Sequence, residues 1–214
     1  MPISHEHRCI FVHIPKTAGT SIEKALGIFG DWRHEDLHIM FGHTSPESQA
    51  GKELSSPFLQ HLTATELAEI LPEDQFLSYL KFTVVRNPWD RMVSVFCNKD
   101  PHLCQLSEAR GIDLKNAGFD EFVTHAAVLD HAHLRPQVDY LHSKDGTPLI
   151  DIIAKWETLE PDFARICKRL GLDLALPREN ASERRDYRDY YSEASRKLIS
   201  TRYEADIETF GYTY

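Results

Sequence analysis

The chain has 214 residues, of which 42% are hydrophobic and 27% charged, and its formal net charge is −9. This length and composition suit one substantial globular domain or at most two small ones, and we predict a single domain over residues 1–214. The acidic balance argues against nucleic-acid binding, which needs a basic surface. No apolar stretch approaches the ~20 residues that span a bilayer, so we predict no membrane span. The N-terminal residues also lack the apolar core of a signal peptide, which favours a cytoplasmic location.

Near the N-terminus, a short apolar run passes through a polar loop into a helical pattern. The run Cys9–Ile14 is typical of a strand buried on both faces, and a helix is predicted over Ser21–Phe29. Free N–H groups at a helix start favour an anion, and Lys16 adds a positive charge. Gly19 permits close approach of a ligand, and the hydroxyls either donate to that ligand or cap the helix. The loop residues are Pro15, Lys16, Thr17, Ala18, Gly19, Thr20 and Ser21.

This loop lacks the Gly-x-x-x-x-Gly-Lys-Ser/Thr spacing of nucleoside triphosphatases. We therefore predict that it binds phosphate without the hydroxyl that serves magnesium in that family. No set of residues has the spacing of metal ligands, and none of the four cysteines forms a Cys-x-x-Cys pair. The sequence thus predicts a phosphate site without a metal.

A second strand-to-helix turn has the same layout. The apolar run Phe82–Val85 is followed by Arg86 and by a helix predicted over Pro88–Phe96, with Ser94 two helical turns along it. A guanidinium and a hydroxyl placed in this way can hold a second phosphate. The alternative is that Arg86 is a surface arginine paired with Asp90 near the helix start.

The remaining elements alternate between strand and helix. Further strands are predicted over Leu149–Ala154 and, more weakly, over Leu37–Phe41. Such alternation favours an α/β protein with a parallel sheet, whose ligand lies at the carboxyl ends of the strands. Three further helices are predicted: one opened by the capping box Thr63–Glu66, one containing Leu159 to Leu170 and ended by Gly171, and one capped by Ser192, carrying Leu198, Ile207 and Phe210 and stopped by Gly211.

The two phosphate motifs together resemble the sulfotransferases that depend on 3′-phosphoadenosine 5′-phosphosulfate (PAPS). The similarity is to the carbohydrate-type family that includes heparan sulfate 2-O-sulfotransferase and bacterial relatives. That family holds the 5′-phosphosulfate with a Pro-Lys-Thr-Ala/Gly-x-Thr-Ser loop, matched by Pro15–Ser21. It holds the 3′-phosphate with a Val-Arg-Asp/Asn-Pro-x-x-Arg-x-x-Ser segment, matched by Val85–Ser94. The resemblance implies a three-layer P-loop-like fold, with a central parallel sheet flanked by helices.

The resemblance also implies roles for individual residues. Lys16, Gly19, Thr20 and Ser21 would bind the 5′ end of PAPS, whereas Arg86 and Ser94 would bind the 3′-phosphate. Weaker similarities lie in Lys155–Phe163, in Arg135–Gln137 and in Asn180–Ser182 with the following Arg184 and Tyr187. Arg184 is therefore a further candidate for the 3′-phosphate. Residues 44–75 and 100–130 show no match, and acceptor specificity would normally lie there.

Sulfuryl transfer resembles phosphoryl transfer, so in-line positioning and charge stabilisation would supply most of the catalysis. Lys16 is placed by resemblance to stabilise charge on the bridging oxygen of the leaving nucleotide, and the scheme requires no metal. The family's 2-O-sulfotransferases use the histidine of a Gly-His pair as base, which points to His43 after the weak strand Leu37–Phe41. The alternatives are His38 and His34, then Glu35 and Asp36, or no role for His43.

Two other classes of function remain open: a small-molecule kinase, and a nucleotide-binding module without chemistry. The acceptor would be a glycan or a small molecule, and the oligomeric state is not predicted. Trp89 is predicted to pack at a helix start rather than to stack on adenine. For Tyr187, Tyr190 and Tyr191 a partly buried loop is favoured over contact with a sugar face. Cys9 and Cys167 are predicted to be core thiols. Free thiols are predicted for Cys97 and Cys104, although these two are close enough in sequence to bridge.

Overall fold

A computed structural model describes residues 2–30, 34–44, 54–177 and 184–214. Their contacts form two compact units, Met1–Val85 with Asp139–Ala181, and Arg86–Val138 with Ser182–Tyr214. The single domain remains a prediction. In chain order the elements are β1 (Ile3–Ser4), β2 (Cys9–Val12), α1 (Gly19–Ala25), α2 (Ala64–Ile70), α3 (Glu73–Ser78), β3 (Leu80–Val85), α4 (Pro88–Asn98), α5 (Pro101–Glu108), α6 (Phe119–Ala126), β4 (Ile152–Lys155), α7 (Leu159–Leu170), α8 (Glu193–Arg202) and α9 (Glu204–Phe210).

The first unit is built on a sheet whose described strands lie in the order β1-β2-β3-β4. The strands β2, β3 and β4 are parallel, with Phe11 opposite Phe82 and Phe82 opposite Ile152. The short β1 was not predicted and pairs antiparallel with β2. The three stronger strand predictions are thus confirmed, with bounds shifted by a few residues. The α/β class with a mostly parallel sheet is confirmed as well.

Buried apolar side chains stabilise this sheet, above all those of β2 and β3. All four residues of β2 are buried, as are the last five of β3, as expected for strands covered on both sides. Ile22 of α1, Leu26 at the C-cap of α1, and Phe163 and Ile166 of α7 belong to one hydrophobic cluster. These residues pack with Cys9, Phe11, Phe82, Val84, Ala154 and Cys167, which confirms the predicted core position of both thiols.

Several predicted helix boundaries are confirmed by their capping groups. Thr63 and Glu66 form the expected capping box at the start of α2. The helix α7 ends at Gly171, whose φ of 71° is accessible to a residue without a Cβ. Asn87 caps α4 by accepting from the N–H groups of Trp89 and Asp90. Local polar groups therefore decide where these helices begin and end.

The weak strand prediction over Leu37–Phe41 is wrong. These residues form a tight turn, which Asp36 and Phe41 close by exchanging backbone hydrogen bonds of 2.8 and 2.9 Å. The Asp36 carboxylate accepts from the N–H of His38 at 2.9 Å, so the side chain stabilises the turn. The apolar residues of this run resembled a strand, but the local aspartate hydrogen bonds favour the turn.

The second unit is helical. Its core is formed by packing among α4, α6 and α8, with buried Val93, Phe122 and Ile199. The single helix predicted after Ser192 is divided into α8 and α9 at Tyr203. That tyrosine is fully buried and its hydroxyl donates to the carbonyl of Leu134 at 2.8 Å, so tertiary packing fixes the break. Among the described helices, none has the length and apolar character that a bilayer span demands.

Candidate active site

The predicted phosphate loop, Pro15–Ser21, turns sharply between β2 and α1. Lys16 and Ala18 have φ values of 69° and 76°, a left-handed conformation that is uncommon for residues with a Cβ. The buried Thr17 hydroxyl donates to the carbonyl of Ile14 at 2.8 Å and braces the turn. Such local strain is found where a loop must present its backbone in one shape. Lys16 itself is half-buried.

The structure decides one alternative left open for the two hydroxyls of the loop. The N-cap of α1 is Ala18, which makes no side-chain cap, and Gly19 is the first residue of the helix. Thr20 and Ser21 therefore lie inside the first turn and do not cap it. Thr20 is half-buried and Ser21 is buried. Both residues belong to the first turn, in which a helix leaves backbone N–H groups without intrahelical partners.

Gly19 has a further reason to lack a side chain. A Cβ at this position would lie 1.8 Å from Nε2 of His13, a distance that no packing tolerates. The sequence predicted a glycine that admits a ligand, and the structure adds an imidazole ring of the chain itself. The carboxyl end of β2 and the start of α1 are thereby in direct contact.

His13 belongs to a buried cluster behind the loop. Its Nδ1 lies 2.5 Å from Oε1 of Glu23, which is fully buried, and its ring contacts those of Phe11 and His61. Nδ1 of His61 lies 3.2 Å from the carbonyl oxygen of His13. His13 lies just beyond the last residue of β2. The pairing with Glu23 was not predicted.

In the second unit, Arg86 and Arg184 share one carboxylate. Nε and Nη2 of Arg86 lie 2.8 and 2.7 Å from Oδ2 of Asp90, and Nη2 of Arg184 lies 2.5 Å from Oδ1. Arg86 and Asp90 are only 5% and 7% exposed, so this arginine cluster (Arg86, Asp90 and Arg184) is not a surface ion pair. Two guanidinium groups and one carboxylate leave a net positive charge, which suits a phosphate. Ser94, also predicted to bind, is half-buried on α4.

The backbone of Arg86 is held by a buried glutamine. Oε1 of Gln137 accepts from the N–H of Arg86, and Nε2 donates to the carbonyl of Arg86, both at 2.8 Å. Asp206 in turn accepts from the N–H groups of Gln137 and Val138, and burial raises the pKa of its carboxyl group. Gln137, which belongs to the weakly similar segment Arg135–Gln137, thus positions the backbone of Arg86. No sequence motif pointed to Asp206.

Arg91, the second arginine of the predicted 3′-phosphate motif, has a structural role. Its guanidinium donates to the carbonyls of Arg135 and His133 at 2.9 and 3.2 Å, and the residue is 2% exposed. It therefore fixes the segment that carries Gln137 to α4.

The candidate base His43 lies in the first unit and is exposed. The centre of its ring is 4.4 Å from that of Phe58, and the backbones of these two residues form an isolated antiparallel β-bridge. Phe58 contacts His61, whose ring contacts His13, so these four rings form one row. The preceding Gly42 has a φ of 94°, and a Cβ there would meet the carbonyl of His34. Of the alternatives, His34, His38 and Asp36 are exposed and Glu35 is half-buried.

The aromatic residues of the second unit pack against one another, as predicted. The indole of Trp89 is 4% exposed, donates to the carbonyl of Arg196 and contacts the ring of Tyr214. Tyr191 donates to the carbonyl of Trp89, and Tyr190 contacts Phe96 and Phe119. The loop segment Asn180–Ser182 lies outside the described residues. Among the described residues, no group of three or more His, Cys, Asp or Glu side chains has the geometry of a metal site.

Residues 1–213 match the model of the Sulfotransferase family, and the chain therefore belongs to that family. This membership confirms the predicted family and enzyme class, and it counts against a kinase. Carbohydrate sulfotransferase 10 of Xenopus laevis is 23% identical over 248 residues, and that of Homo sapiens is 23% identical over 252 residues. Each alignment covers 98% of this chain and 66% of the relative, so the chain spans about two thirds of their length.

A shorter similarity is to an uncharacterized protein of Archaeoglobus fulgidus. It is 31% identical over 97 residues, which cover 45% of this chain and 72% of that protein. No match was found among solved structures.

Proposed function

We propose that this protein transfers a sulfuryl group from PAPS to a hydroxyl group of a carbohydrate. The observation that carries the proposal is the phosphate loop, which follows a buried parallel strand and enters α1 with Lys16 ahead of the helix start. Family membership supports sulfotransfer as the reaction. The names of the Xenopus and human relatives support a carbohydrate acceptor.

The reaction would proceed in line. The acceptor oxygen forms a bond to sulfur, and the bond from sulfur to the bridging oxygen breaks. The electron pair of that bond goes to the 5′-phosphate of the leaving 3′,5′-bisphosphate. Lys16 and the N–H groups at the start of α1 stabilise this charge, a contact whose loss typically costs ~10²–10³ in rate.

The other end of the nucleotide would be held by the arginine cluster and Ser94. A phosphate offers several oxygen acceptors, and the guanidinium groups of the buried Arg86 and the half-buried Arg184 provide planar donors for them. Because Asp90 already orders both arginines, little side-chain freedom is lost when the ligand binds.

The acceptor hydroxyl would lose its proton to Nε2 or Nδ1 of His43. The support is the Gly-His pair of the resembling family together with the exposure of this ring, which leaves it accessible to an acceptor. A carbohydrate hydroxyl is a weak nucleophile at neutral pH, so removal of its proton as the bond to sulfur forms lowers the barrier.

Two measurements test the proposal. The first is thermal stability with 3′,5′-bisphosphoadenosine or with ATP plus magnesium; we expect the larger upward shift with the bisphosphate. The second is transfer of ³⁵S from labelled PAPS to a panel of glycans and small alcohols, with EDTA present. A larger shift with ATP, or transfer that stops in EDTA, would contradict the proposed donor chemistry.

Matched variants then separate the roles. Lys16→Ala and Arg86→Ala should each weaken bisphosphate binding at least tenfold, whereas His43→Ala should abolish transfer and leave binding nearly unchanged. Lys144→Ala is the control, because that lysine is exposed and its Nζ is paired with Glu69 at 2.6 Å. Undiminished transfer by His43→Ala would remove His43 from the mechanism. His38→Ala and Asp36→Asn would then be tested as bases.

A further inference from the structure

His13 is a buried histidine with one ring nitrogen that is not hydrogen-bonded to the described residues. It is 5% exposed, and Nδ1 is committed to Glu23 at 2.5 Å. Among the described residues, none is hydrogen-bonded to Nε2. This second nitrogen is the ring atom nearest to the position of a Cβ on Gly19. Nε2 of His13 therefore lies beside Gly19, the first residue of α1, which belongs to the phosphate loop.

Glu23, the hydrogen-bond partner of His13, is an acidic residue close to the proposed anion site. This carboxylate is fully buried on α1, and among the described residues its Oε2 has no hydrogen-bond partner. A buried, uncompensated carboxylate would repel the phosphosulfate that the neighbouring helix start is proposed to bind. An imidazolium at His13 would compensate this charge. In that form both ring nitrogens are donors, Nδ1 to Glu23 and Nε2 to a ligand oxygen.

We propose that His13 is a further residue of the sulfuryl-transfer site, whose Nε2 donates a hydrogen bond to the 5′-phosphosulfate end of the donor. Glu23 is its positioning residue, which fixes the ring orientation and stabilises the imidazolium. The inference rests on the proposed function, since it takes the phosphate loop as the binding site for that end of PAPS.

In-line transfer decides which part of the reaction His13 serves. The attacking hydroxyl and the leaving oxygen lie on opposite sides of the sulfur. A ring packed against the loop that holds the leaving nucleotide is on the leaving-group side. His13 therefore stabilises charge on the departing phosphate and does not compete with His43 for the acceptor proton.

The experiment compares two amide replacements that separate the ring nitrogens. An asparagine side chain places its amide near Nδ1 and keeps a donor to Glu23, whereas a glutamine places its amide near Nε2. We expect His13→Asn to lower kcat by ~10²-fold, in the range for the loss of one donor to the transition state. His13→Gln should retain at least a tenth of the wild-type kcat. Glu23→Gln should cost ~10–100-fold, as is typical for groups that orient a functional histidine.

Equal activities of His13→Asn and His13→Gln, or a more active His13→Asn, would overturn the inference. If both variants fail to fold, the wild-type protein provides the test. The ¹⁵N chemical shift of His13 Nε2 should change when 3′,5′-bisphosphoadenosine is titrated in, and should not change in Lys16→Ala, which binds the nucleotide weakly. An unchanged shift in wild-type protein saturated with nucleotide would also overturn it.

The failure of the inference is distinguishable from the failure of the proposed function. If wild-type protein transfers ³⁵S from PAPS while the His13 and Glu23 variants behave like it, only the inference is wrong. If wild-type protein neither binds the bisphosphate nor transfers sulfur, the proposed function is wrong, and the assignment of His13 is overturned with it.

Discussion

At the scale of single residues, Asp90 is the most informative position, because it holds two arginines with one carboxylate. From the sequence, the pairing of Arg86 with Asp90 was the alternative to phosphate binding. In the structure Asp90 pairs with both Arg86 and Arg184, and Arg86 and Asp90 are buried. The ion pair with Asp90 is therefore compatible with the proposed phosphate site. Sequence reasoning could name each arginine, but the sharing depends on two segments 94 residues apart.

Asp90→Ala should destabilise the protein and increase its response to nucleotide. Loss of one partner from a buried ion pair costs ~3–5 kcal/mol, since the remaining charges lose their compensation. A 3′-phosphate would supply the missing anion. The rise in melting temperature on adding 3′,5′-bisphosphoadenosine should therefore be larger in this variant than in wild type.

Glu69→Ala is the matched control, because Glu69 and Lys144 form an exposed ion pair. It should change neither stability nor nucleotide response appreciably. A smaller nucleotide shift in Asp90→Ala than in the wild type would contradict a phosphate site at the arginine cluster.

A second residue-scale prediction concerns acid sensitivity at His131. Burial lowers the pKa of this histidine from 6.5 to about 4, against the opposing effect of Asp100. Its contribution to stability is complete above pH 6.5 and is lost as the pH falls toward 4, because the unfolded chain takes up a proton that the folded chain does not. The loss approaches ~3 kcal/mol at pH 4.

His131→Asn should reduce this acid sensitivity, and urea unfolding between pH 7 and 4 measures it. Asparagine retains an oxygen that can accept from the N–H of His133, as Nδ1 of His131 does at 3.2 Å. The half-buried His125, whose Nε2 lies 3.9 Å from Oε1 of Glu121, provides the control variant His125→Asn. Equal pH profiles for wild type and His131→Asn would refute the assignment.

At the scale of elements, the phosphate loop depends on an exact fit between the end of β2 and the start of α1. Gly19→Ala should disturb that fit, although alanine is the better helix former by ~1 kcal/mol. The new Cβ would meet the ring of His13, so either the ring or the helix start must move. We expect at least a tenfold loss of bisphosphate affinity by isothermal titration.

Gly118→Ala is the control for this substitution. Gly118 precedes α6, and a Cβ there meets nothing within 4 Å. Its effect should be limited to ~1 kcal/mol of stability, from the poorer N-cap. Unchanged affinity in Gly19→Ala would show that the ring yields freely and does not define the loop.

Elements with strong local signals could be predicted, and those decided by distant contacts could not. Residues adjacent in the sequence supply the signal for four features: the strands β2 and β3, the capping box at Thr63 and the helix end at Gly171. The turn at Asp36 and the break at Tyr203 depend on hydrogen bonds that periodicity does not reveal. The two-residue β1 is too short to leave any pattern.

At the scale of the whole molecule, each compact unit contains two of the four cysteines, and their reactivity measures which positions are buried. Cys9 and Cys167 are buried in the first unit, where burial raises the pKa of Cys9 to about 12. In the second unit Cys104 is buried and Cys97 is exposed. Because the exposed thiolate is the reactive species, we expect native protein to react rapidly only at Cys97.

Labelling with a fluorescent maleimide at pH 7, followed by peptide mass spectrometry, tests this expectation. The other three thiols should react only in denaturant, and Cys97→Ser should abolish the rapid phase. Rapid labelling of Cys9 would contradict the buried position of β2.

For the candidate site, local sequence motifs nominate residues to contact the ligand, and these assignments stay predictions. Apart from His13, every residue proposed to bind the nucleotide comes from two local motifs or a late loop. The residues that hold those side chains in place, including Glu23, Gln137 and Asp206, lack a local signature because their partners are 10, 51 and 69 residues away. The role of His43 as base and the cytoplasmic location stay predictions.

The hydrogen bonds around Arg86 have a practical consequence for anyone shortening the chain. Asp206 on α9 secures Gln137, and the carbonyl of Thr213 accepts from the side chain of Asn87 at 2.9 Å. Clones that stop before the final helix would delete both supports while leaving every nucleotide-contact candidate in the reading frame. Failure of such clones to retain ligand would be a loss of scaffolding, and it should not be mistaken for a missing binding residue.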